Sequence, residues 1–93
     1  MQNQEEQLRT RGDQAEQLLG SEAFNDVING LVESTFQTFV NSSVSDSEAR
    51  DNAYRHYRAL VDVVNTLKQR VSIRDEIVAK YEINNDDNSQ EKA

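Results

Sequence analysis

Between Asn52 and Leu60 the chain reads NAYRHYRAL, which sets Tyr54, Arg55, His56, Tyr57 and Arg58 side by side. Residues of these types do chemistry in a few ways. Arginines interleaved with aromatics grip phosphates and stack on bases. A histidine with a second ligand or a carboxylate holds a metal or moves a proton. At helical spacing, the same residues only dress one turn of a helix. His56 is the single histidine and cysteine is absent, so the sequence offers no second ligand and no triad partner. Each arginine has an aspartate four positions away, Asp51 before Arg55 and Asp62 after Arg58. Such pairs stabilise a solvated helix face by ~0.2–0.5 kcal/mol each. The stretch therefore reads as helix surface, and no catalytic, cofactor-binding or metal site is expected.

Charge points the same way. The net charge is −7, carried as −2 over residues 1–20, −3 over 21–44, zero over 45–83 and −2 over 84–93. Phosphate backbones and anionic lipids repel such a chain, so the expected partners are proteins, with no nucleic acid and no membrane. Lack of cysteine also removes disulfides and thiolate metal sites. No run of 18 apolar residues is present, and a signal peptide is not expected.

The elements that would carry these residues are helices. Proline is absent and glycine occurs only at 12, 20 and 30, with no period-two strand pattern. A first helix is expected near 5–19, with Leu8, Ala15, Leu18 and Leu19 on one face and Gly12 as a weak point in its middle. Gly20 and Ser21 read as a C-terminal glycine followed by a new N-cap. A second helix is expected over 22–40, its stripe formed by Phe24, Val27, Ile28, Leu31, Val32, Thr35 and Phe39. Phe36 and Val40 lie off that stripe, which makes the apolar face wider than one partner helix covers. Phe36 is a candidate for an intermolecular contact.

A third helix is expected over 46–82, opened by Ser45 and Glu48 as an S-x-x-E capping box. Ala53, Tyr57, Leu60, Val64, Leu67 and Val71 follow a 4,3,4,3,4 spacing, a coiled-coil-like seam. After Val71 the apolar stripe moves to Ile73, Ile77 and Tyr81, which predicts either a kink near Ser72 or a straight helix that changes partner. The fold expected is all-α, a helical hairpin with an N-terminal third helix. It forms one domain over 1–83, followed by a disordered acidic tail at 84–93. The expected core is Phe24, Ile28, Leu31 and Phe39 against Tyr57, Leu60, Val64 and Leu67. Helix lengths leave the far end of the third helix uncovered, so Ile73, Ile77, Val78 and Tyr81 are expected at a contact with a second copy.

Other short motifs carry less. RGD at 11–13 falls inside a helix, and NSS at 41–43 matches a glycosylation acceptor without a leader to make it matter. Asp13 and Glu16, like Asp86 and Asp87, read as solvated charges rather than a Ca²⁺ site.

RGDQAEQLL at 11–19 and the later SDSEARDNAYRHYRAL, with VVNTLKQRV after it, together resemble a group of small helical proteins encoded by tailed bacteriophages. Arg11, Gly12, Gln14, Ala15, Leu18 and Leu19 fit the first element of that pattern. Asp46, Glu48, Ala49, Arg50 and Tyr54 fit the second. The group commonly has a tryptophan late in the second helix, where Phe39 stands here. The resemblance spans residues 11 to about 71. It implies a phage setting, near genes for capsid, portal and packaging proteins, and it brings no catalytic residues. The expected function is that of a self-associating virion or assembly component, in the host cytoplasm, the virion or both. Binding and redirecting a host protein, as an acidic nucleic-acid mimic, is the alternative.

Overall fold

Three helices result, α1 (Gln2–Leu19), α2 (Glu22–Asn41) and α3 (Ser47–Lys92), because α1 is rich in good helix formers, α2 and α3 repeat apolar residues at helical spacing, and no proline interrupts them. The structure, a computed structural model, describes the backbone of residues 2–92 and the side chains of residues 3–83. α3 runs on to Lys92, through most of the stretch 84–93 where a disordered acidic tail was expected, and the side chains there lie outside the described residues.

The breaks have identifiable causes. Ser21 caps α2, its hydroxyl accepting the Phe24 N–H at 3.2 Å. Gly20 precedes it without a positive φ, so it forms a plain turn and not the left-handed C-cap that its type suggested. At the other break, the cap of α3 is Asp46 and not the expected Ser45. The Asp46 carboxylate accepts the Ala49 N–H at 3.0 Å. The Ser45 hydroxyl sits 3.2 Å from that of Ser43 instead. Arg50 reaches back across the turn and donates to the Ser43 carbonyl at 2.6 Å, tying the connection to the first turn of α3.

Both α1 and α2 pack on α3 and barely touch one another. Pairing runs steadily antiparallel: Glu5 meets Tyr81, Glu16 meets Arg74, and Phe36 and Phe39 flank a groove with Ala53 and Tyr54. The fold is thus a long hairpin whose first arm is broken at Gly20–Ser21 and whose second arm is one uninterrupted helix. At 1.5 Å per residue its 46 residues span ~69 Å, nearly all of the 72 Å length of a rod only 24 by 22 Å across. α3 is therefore straight, with no kink at Ser72. What changes is its partner, from α2 to α1, close to Leu67.

Two helices side by side bury little. Among the described residues only Ala15, Ala53 and Leu67 are apolar and buried, and α2 contributes none. Of the expected core, Leu67 is buried, while Phe24, Ile28, Leu60 and Val64 are half-buried. Leu31, Phe39 and Tyr57 are exposed, 47%, 48% and 43%. The expectation fails for these three because the rod has no third layer to cover its flanks. Val32 and Thr35 take inward places on α2 that had been assigned to Leu31.

Candidate functional site

The far half of the rod is built around a close approach. Gly12 lies so near α3 that a Cβ there would clash with the Arg74 Cβ and sit 2.9 Å from the Arg70 carbonyl oxygen. Ala15, three residues on, is 2% exposed. The glycine that looked like a weak point in α1 is thus what lets the two backbones meet. Arg74 continues the seam beyond Val71: 53, 57, 60, 64, 67, 71, 74, 78 and 81 keep the alternating 4,3 rhythm. Its aliphatic stem fills the place beside Gly12, and its guanidinium snorkels to the rim.

There the guanidinium donates to Glu16 at 2.8 Å, to Asp13 at 2.9 Å and to Asp75 at 2.9 Å. Its own side chain is 14% exposed, while the three carboxylates remain largely open to water. Asp13 and Glu16, read from sequence as solvated charges, are in fact the acidic half of a clamp between α1 and α3. The hydrogen bond from Arg74 holds the Glu16 carboxyl below the usual carboxylate range. The Glu16 hydrogen bond first, then those of Asp75 and Asp13, push the already high arginine pKa further up.

At the end of the seam, the Tyr81 hydroxyl donates to Glu5 at 2.6 Å, and that bond raises the phenol's pKa. Ile73, Ile77 and Val78 are half-buried along the same stretch, where α1 lies on α3. α1 thus covers part of the surface expected at a contact with a second copy, leaving Ile73, Ile77 and Val78 half-buried and Tyr81 47% exposed.

Around the turn, the two sides of the hairpin differ. One side carries a groove of about 380 Å³ walled by Val32, Phe36 and Phe39 of α2 and by Tyr54 and Tyr57 of α3, with Ala53 at its floor. Phe36 is 58% exposed and Tyr54 60%. The opposite side of the same helix pair is walled by Ser34, Thr38, Asn52 and His56. His56 thus lies among hydroxyls and an amide, apart from the aromatics next to it in sequence. Arg55 and Asp51 make no ion pair, whereas Arg58 and Asp62 approach to 3.8 Å.

The ionisable clusters lie on the α1 half of the rod, Glu5, Glu6, Arg9 and Tyr81 around one shallow cleft and Arg74 with its three carboxylates at the rim. The aromatic groove holds one carboxylate, Glu33, on its wall. Among the described residues no group of three or more His, Asp or Glu side chains is placed to hold a metal ion, and no helix is long and apolar enough to cross a membrane. What the site offers is apolar and aromatic area beside a few rim charges, the composition of a protein contact. Sequence reasoning found Phe36 and the excess width of the α2 face. It missed that Tyr54, Tyr57 and Phe39 converge, a convergence signalled only by the hairpin register. No family model, curated protein or solved structure matches the chain.

Proposed function

We propose that this chain is a non-enzymatic, self-associating helical protein that serves a tailed phage as a virion, assembly or packaging component. The observation that carries the reading is the open aromatic groove on a rod that is only two helices thick. Phe36 at 58%, Phe39 at 48%, Tyr54 at 60% and Tyr57 at 43% stand exposed around that groove, apolar area of the kind a protein partner covers. The phage setting rests on the likeness of RGDQAEQLL and DSEAR with its following tyrosine to small phage proteins. Mass spectrometry of purified particles and of procapsids tests it: the chain should be found in at least one, and absence from both refutes the reading.

A second reading has its own support. α2 carries Glu22, Asp26 and Glu33 and no base, so the first arm presents acid to a partner. An affinity pull-down from host lysate that recovers one stoichiometric, basic-surfaced host protein would favour that inhibitor role.

A further inference from the structure

An acid lines the α2 wall of the aromatic groove, and a base stands beside its α3 wall. Glu33 lies one turn before Phe36 on α2 and belongs to the groove wall. Arg58 lies four residues after Tyr54 on α3, hence on the same side of that helix. Neither charge is fully engaged. Glu33 accepts one hydrogen bond from the exposed Gln37 amide at 3.1 Å. Arg58 faces Asp62 at 3.8 Å, both side chains more than half exposed. Because the arms run antiparallel, Glu33 and Arg58 stand at nearly the same level along the rod, on opposite lips of the groove.

Resting on the self-association proposed above, we infer that each groove is closed by the groove of a second copy about a two-fold axis running along the rod. Such an axis leaves every residue at its own level and exchanges the walls. The α2 wall of one copy then meets the α3 wall of its partner, and Glu33 faces Arg58 twice. A two-fold axis across the rod would instead lay α2 on α2, acid on acid with no base between them. The charge pattern of the groove selects the first arrangement. The product is a four-helix bundle at the turn end, with Phe36 and Tyr54 inside it.

Charge reversal on the full chain is the test, read by sedimentation equilibrium at micromolar concentration. Wild type should be a dimer. Glu33→Arg and Arg58→Glu, each alone, should weaken it roughly tenfold or more through like-charge contact. Mixed one to one, these two variants should recover wild-type association, because the heterodimer restores both pairs. Phe36→Asp should cost on the order of thirtyfold. Every substituted residue is exposed in the single chain, and unchanged circular dichroism should confirm that the fold survives. A wild-type monomer throughout the range overturns both the inference and self-association. A wild-type dimer that ignores all three substitutions, or whose weakened variants do not recover on mixing, overturns the groove-to-groove arrangement and leaves self-association standing.

Discussion

One helix, α3, is packed in two different ways along its length. Its second half lies against α1 through glycine and alanine, with an arginine clamp at the rim and Tyr81 bonded to Glu5 at the end. Its first half lies against α2, which has wider side chains, no buried residue and an open aromatic flank. Small residues bring backbones together and finish the contact within the chain. Large ones hold the helices apart and leave surface for something else. The half with the less apolar sequence is therefore the closed one, and the half with the phenylalanines is the open one.

Substitutions can break this contrast. The largest effect should come at Leu67, where the partner of α3 changes: Leu67→Ala removes a buried side chain and should cost ~2–5 kcal/mol in a urea melt. Half-buried Leu60, on the open side of that point, should cost less. If Leu60→Ala proves the more damaging, the contrast is drawn the wrong way round.

Gly12→Ala comes next. Alanine improves helix propensity by about 1 kcal/mol, yet the new methyl would meet the Arg70 carbonyl and the Arg74 side chain, and overpacking of this kind typically costs ~1–3 kcal/mol. A net loss of stability is expected, with earlier hydrogen exchange in α1. Gly30 supplies the control, since a Cβ there meets nothing within 4 Å. Gly30→Ala should raise stability by ~0.5–1 kcal/mol. Equal gains at both glycines would show that α1 does not lie close on α3.

The smallest expected effects are those of pH, because the groups are solvated and salt screens them. Glu16 titrates below its ordinary 4.5, so its share of the clamp is intact above 4.5 and lost as pH falls through the depressed value. Tyr81 titrates above its ordinary 10.0, so its bond to Glu5 is intact below 10.0 and lost as pH rises through the raised value. Protection of α1 amides, taken relative to the intrinsic exchange rate at each pH, should fall at both extremes, while protection in α2 stays unchanged. Arg74→Ala should flatten the acid limb. An acid limb that persists in that variant would assign it to other carboxylates.

Much of this fold is legible in the sequence, for local reasons. Helical type, the Ser21 cap and the seam from Ala53 to Val71 follow from short-range spacing and side-chain chemistry, and each appears where expected except at Tyr57, which is exposed. The seam's continuation was hidden because Arg74 is a charged residue at a core position. Only the gap over Gly12, sixty-two positions away in sequence, makes room for its stem. The start of α3 shifted by one residue because Asp46 and Ser45 are both able caps, and the backbone at the turn chose between them. Phe39 and Tyr57 were placed in the core because periodicity reports which face is apolar, while the number of layers that cover it depends on chain topology.

A hairpin with a single turn also has a definite order of assembly. Contacts beside the turn, such as those between Phe39 and Ala53, close a loop of fourteen residues, whereas Glu5 and Tyr81 are seventy-six apart. Closing the longer loop first would cost about 1.5 kcal/mol more in chain entropy. Zipping outward from Asp46 avoids that penalty at every step. The loosely packed half should thus form early, and α1 should dock last. Substitutions under α1 should then speed unfolding and leave the folding rate nearly unchanged. During synthesis, the aromatic groove requires only the chain up to about Tyr57, but its register is completed when the ribosome has released the first part of α3.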